Sequence, residues 1–260
     1  MFPSTPDLSS QASSQLLSPP PSPRTRRRIL KNSGDVDGKI SLERYNLASD
    51  PYRSTSLRDP PPYPLCITPS DELADTIRPF APEIYQILRD HNFPSSTSVE
   101  YSTFSKPGHP GWELEKFILR VVVEENHHSQ VQFGPTKDEV MKLLEDKGLT
   151  EIQVEIINPD LHYTPSWFYV GKDAPLVRAF ERARGDIIIL LQHEIPQRWR
   201  VVSPFNVGNV QSKSESAIVV LVDPLTEANW SRIRKGIKSL VDGVDTDFDV
   251  EFLPGELRFL

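Results

Sequence analysis

Glu124, Glu125, His127 and His128 place four possible metal ligands within five residues, in the polar stretch that follows Val121-Val122-Val123. Neighbouring side chains on extended backbone point to opposite sides, so two of the four at most can share one ion. A solvated loop is the expectation there, with no metal bound. Glu155 and Glu251 are a second pair, each between apolar residues in a Val-Glu-hydrophobic segment. Two carboxylates at matching places on related strands would do acid–base work if they met across a cleft; on alternating strands that face water they would only solvate. Trp167, Phe168 and Tyr169 sit in irregular chain between the segments that carry these glutamates. They are expected to plug an interface or to wall a groove where a ligand binds. Short catalytic signatures are absent: the chain contains no G-x-S-x-G, no H-E-x-x-H, no phosphate loop and no G-x-G-x-x-G after a strand. No catalytic residue, cofactor or metal is therefore expected.

Two further constellations lie near the N-terminus. Arg24, Arg26, Arg27 and Arg28 form a basic patch just after Ser18-Pro19 and Ser22-Pro23. It reads as a nuclear-import or acidic-partner segment that phosphorylation would partly neutralise, or as a solvated leader. Pro60, Pro61, Pro62 and Tyr63 satisfy a short proline-rich pattern that aromatic grooves recognise in the polyproline II conformation. The other reading is a stiff linker whose Tyr63 and Leu65 tack the chain onto the body, because Leu65-Cys66-Ile67 follow at once.

The elements that must position these residues begin after a tail. Residues 1–59 are mostly Ser, Pro, Arg, Asp and Asn with no sustained apolar period, so they are expected to be disordered. Beyond residue 64 the chain holds 20 Lys/Arg against 30 Asp/Glu. An acidic body repels phosphates, so no nucleic-acid partner is expected. No apolar run reaches the roughly 18 residues of a membrane span, and the first residues lack the order of a secretory signal. With a single cysteine, Cys66, which is expected to pack rather than react, the chain reads as intracellular, cytoplasmic or nuclear.

The body divides into two parts, 60–160 and 161–260, that lay over one another with an offset of 100, matching Ile118 with Ile218 and Val122 with Val222. In each, an apolar strand leads to a helix that a glycine stops, Gly148 or Gly243, before a closing strand. Thr136 and Glu139 form a capping box for the first of these helices. Val140, Met141, Leu143 and Leu144 mark its buried stripe, and Trp230, Ile233, Ile237 and Leu240 mark that of the second. Ile187 to Leu191 have strand-like composition, but the overlay and Pro175 assign them to a helix over about 175–192. The expected fold is α/β with α+β character: tandem duplicated αββαβ units with small mixed sheets, related by a pseudo-twofold and packed as one body behind the tail.

The Pro61-to-Leu65 entry, the Val-Val-Val-Glu strand end at Glu124, the Val-Glu-Ile-Ile strand before Asn158-Pro159 and the second copy's Val-Glu-Phe together resemble a group of uncharacterised proteins of filamentous fungi. The resemblance spans about residues 60–260 and implies the duplicated body, with no site residue to carry over. Two classes of function follow. The first is a non-catalytic interaction or binding module whose tail motifs engage protein partners. The alternative is an enzyme or small-molecule binder that uses the cleft between the units.

Overall fold

The computed structural model describes residues 38–124, 132–164, 166–172, 174–208, 214–241 and 248–255. Its first half is built on a five-stranded sheet of order β2-β6-β5-β4-β3. The strands are β2 (Arg53–Thr55), β3 (Cys66–Pro69), β4 (Ser98–Ser105), β5 (Lys116–Val122) and β6 (Gln153–Ile157). Pairing is antiparallel except between β5 and β6, where the intervening helix returns the chain in the same direction. The second half repeats that scheme with order β11-β9-β8-β7, from β7 (Ser166–Phe168), β8 (Trp199–Gly208), β9 (Glu215–Val222) and β11 (Asp249–Pro254). Here β9 and β11 are the parallel pair.

Helices cover one face of each sheet. In the first half these are α2 (Asp71–Ile77), capped by Ser70, α3 (Ala81–Asp90), and α4 (Phe133–Asp146). They bury Leu73, Ile84, Leu88, Val140 and Leu144 against Leu119, Val121, Val154 and Ile156. In the second half α5 (Pro175–Glu194) and α6 (Trp230–Leu240) bury Phe180, Ile187, Leu191, Ile233 and Ile237 against Ile218, Val220, Val250 and Phe252. The strand-like run Ile187 to Leu191 is thus helical, with every fourth residue turned inward.

Three expectations are corrected. The tail boundary at Asp59 is too late: β1 (Ile40–Ser41) pairs with β10 (Glu227–Ala228), α1 (Leu42–Ala48) lies on β11, and β2 extends the first sheet. This segment escapes a periodicity reading because its elements are short and its partners lie far away in sequence. Secondly, α4 starts at Phe133, not at a Thr136 cap; Phe133 is buried and stacks on Phe93, and Thr136 Oγ1 donates to Gln132 O inside the first turn. Thirdly, the two halves share element order and pairing sense but not the offset of 100. Ile118 faces away from its helices and Ile218 faces toward its own. A one-residue slip inverts every side chain of a strand, and an offset of 99 in β5 and β9 restores the faces: Leu119 and Val121 then match Ile218 and Val220.

Candidate functional site

The face of the first sheet that carries no helix bears a ladder of alternating charge. Glu100 on β4 stands opposite Arg120 on β5, and Arg120 opposite Glu155 on β6. Arg120 Nη1 donates to Glu100 Oε2 at 3.0 Å and its Nε lies 3.6 Å from Glu155 Oε2. From the other side Arg53 on β2 donates through Nε to Glu155 Oε1 at 2.8 Å. Glu155 is fully buried, and two guanidiniums flank it. Tyr63 completes its shell by donating its hydroxyl to Oε2 at 2.7 Å. Burial and then the charge of Glu155 raise the Tyr63 pKa, so the phenol stays protonated and remains a donor.

Tyr63 is brought there by the proline turn. Arg53 Nη1 donates to Pro61 O at 3.2 Å, Lys106 Nζ donates to Pro62 O at 2.5 Å, and the Tyr63–Pro64 peptide is cis. The Pro60, Pro61, Pro62, Tyr63 pattern is therefore folded into the body, with Pro60 and Pro61 buried and the tyrosine engaged, rather than offered as a peptide ligand. The Tyr63 ring lies 4.8 Å from that of His162, in the connection between the halves, and 4.8 Å from the Arg53 guanidinium carbon. His162 Nδ1 is 3.9 Å from Asp50 Oδ2. Asp50 ties the end of α1 to the same connection, accepting from the backbone of Tyr52 at 3.0 Å and of Tyr163 at 3.0 Å. Burial pushes the Asp50 carboxyl up and the His162 imidazole down, so burial favours the neutral form of both.

In front of this network lies a cleft of about 600 Å³ between the two halves. Pro60, Pro62, Tyr163, Trp167 and Leu253 supply apolar walls, and Asp50, Arg53, Lys106 and His162 supply polar ones. Trp167, on the edge strand β7, packs on Phe205 with ring centres 5.8 Å apart and is 39% exposed. Glu43 reaches the cleft from α1, but both its oxygens accept from the backbone N–H of Leu225, at 3.0 and 3.2 Å, and His109 Nε2 lies 3.3 Å from one of them. Burial, and then the charge of Arg53, lower the pKa of Lys106.

The remaining expected sites fall elsewhere. Glu251 is buried like Glu155, on the helix-free side of β11 opposite Val219 rather than an arginine, and neither glutamate lines the cleft. Both leave the solvent-face reading, because each sheet is covered on its second face as well. Tyr169 is mostly exposed and plugs nothing. Glu124 is exposed; Glu125, His127 and His128 lie outside the described residues, as do Arg24, Arg26, Arg27 and Arg28. No group of three metal-ligating side chains occurs among the described residues, and no helix among them is long and apolar enough to cross a membrane. Cys66 is exposed on the edge strand β3, not packed.

Sequence reading missed Asp50, Arg53, Lys106 and His162, whose roles depend on distant partners: Asp50 meets Tyr163 113 residues on, Arg53 meets Glu155 102 on, and Lys106 meets Pro62 44 back. The only local sign was Ser41 ahead of Leu42 and Tyr45, a cap and one helical repeat inside a polar stretch. No protein-family model, curated protein or solved structure matches this chain.

Proposed function

We propose that the protein is a non-catalytic binding module that holds a small organic molecule in the cleft between its halves. The observation that carries this reading is the cleft itself: about 600 Å³, at a junction of two sheets, with proline and aromatic walls and a few polar groups fixed from behind. Binding rather than turnover is favoured because the carboxylates are engaged. Glu43 is held by Leu225, Asp50 by two backbone amides and Glu155 by two arginines and a tyrosine, so none of these three carboxylates is poised toward the opening as a general base. The basic run at Arg24 to Arg28 belongs to the same proposal as a segment for acidic partners, tuned by phosphate on Ser18 or Ser22.

Thermal-shift screening against a library of metabolites tests this. A ligand at a hundred times its Kd adds about 2.7 kcal/mol to stability, an easily read rise in Tm. Ser166→Trp places an indole at the exposed rim and should abolish the rise without lowering the Tm of the free protein. Ligands whose effect survives Ser166→Trp would place binding elsewhere and end the proposal.

A further inference from the structure

We infer that the cleft selects molecules that carry an oxyanion on an apolar, planar body, with Lys106 as the anion's receptor and Arg53 adding positive charge beside it. This rests on the cleft being the binding site and adds the chemistry of the ligand. Arg53 and Lys106 donate to the carbonyls of consecutive residues, Pro61 and Pro62, so the two cationic heads stand side by side on one wall. Arg53 is more than nine-tenths buried, and its Nη2 has no hydrogen-bond partner among the described residues. Lys106 has three N–H donors and shows one acceptor.

The acceptors that face the same space are committed. Glu43 receives Leu225 N and Asp50 receives Tyr52 N and Tyr163 N, while Glu155 stands behind the wall with Arg53 Nε and Tyr63 on its two oxygens. A cationic donor left unpaired is costly, and Lys106, with one of its three donors used, is the cation on this wall that a ligand's acceptor can reach, while the enclosed Arg53 guanidinium lends its charge from behind. A carboxylate, sulfonate or phosphate would take Lys106 through charge-assisted bonds beside the positive Arg53 guanidinium. Burial and the neighbouring guanidinium already disfavour the charge on Lys106, and an anion between the two would relieve that repulsion. Opposite them Tyr163, Trp167 and Leu253 offer the apolar surface for the rest of the molecule.

Two fluorescent probes of similar aromatic body separate the terms: anilinonaphthalene sulfonate, which carries an anion, and N-phenylnaphthylamine, which does not. Wild-type protein should bind both at the cleft, the sulfonate more tightly, and Ser166→Trp should block both. Lys106→Met, which keeps the aliphatic stem, should weaken the sulfonate about tenfold and leave the neutral probe unchanged, while Lys106→Arg should restore the sulfonate. Equal affinity of the two probes, or a sulfonate affinity that Lys106→Met does not alter, overturns the anion inference while the cleft remains a binding site. Failure of both probes to bind, or binding that Ser166→Trp leaves intact, overturns the cleft reading and the inference with it.

Discussion

Glu155 concentrates the energetics of the first sheet, because one carboxylate there answers two arginines. Removing it leaves Arg53 and Arg120 buried against each other, and the loss of one partner of a buried pair costs about 3–5 kcal/mol. Glu155→Gln should therefore lower the stability measured in urea by that amount, and Tyr63→Phe, which removes one hydrogen bond to a charged group, by about 1.5–3 kcal/mol. His162 gives a pH dependence of known sign. Its folded pKa lies below the ordinary 6.5, so its contribution is whole above that pH and is lost as the pH falls toward the depressed value, where the unfolded chain takes up a proton that the folded one resists. Asp50 acts oppositely: its raised folded pKa gives a contribution present below the ordinary 3.8 and lost as the pH rises through the raised value. His162→Phe should flatten the decline in urea stability between pH 6.5 and 5; an unchanged slope would remove the histidine from this role. At this scale little was legible in the sequence. Glu155 reads as one position of an alternating strand, and its arginine on β2 comes from a stretch whose composition reads as tail.

Elements were more legible, since periodicity and caps are local. Ser70 caps α2 and the prolines at 79 and 82 set it off from α3, both local signals, whereas the helix through Ile187 is read from the overlay and Pro175 against a strand-like composition. The facing of the strands did not follow, because continuous apolar runs such as Ile218 to Val222 are buried on both sides and carry no alternation to fix the register. The end of α6 shows the same limit: Leu240 fits the stripe by spacing, yet the helix stops there and leaves it 38% exposed while Val241 turns inward. Leu144→Ala and Ile237→Ala should each cost about 2–5 kcal/mol, and Leu240→Ala under about 1 kcal/mol. Leu42→Ala, on a seven-residue helix from the stretch expected to be tail, should cost as much as the core substitutions because Leu42 is fully buried in the second half's core. Denaturation midpoints of the four variants check the ranking.

Over the whole molecule, residues 40–55 act as a strap. One end pairs with β10 and covers β11, where Asn46 donates to Phe252 O at 3.1 Å, and the other end adds β2 to the free side of β6. A single segment thereby covers the parallel edge of each sheet, with a strand beside β6 and a helix on β11, while β3 and β7 remain the opposite edges. A chain that begins at residue 57 should lose cooperative unfolding and should associate at concentrations where the full chain is monodisperse by light scattering. With the strap present, Leu144→Ala and Ile237→Ala should each lower one common transition, and two separate transitions would show the halves to be independent. The strap also sets a timetable for synthesis. Ile40 waits for Trp230, its hydrogen-bond partner 190 residues later, roughly 10–40 s at 5–20 residues per second. Strand β2 finds β6 about three-fifths of the way through that interval, so the first sheet anchors the strap while Leu42 and Tyr45 still lack their core. A ribosome-bound chain stalled between residues 160 and 230 would thus display an apolar helix with nothing to cover it, which makes that interval the one in which nascent chains most need a chaperone.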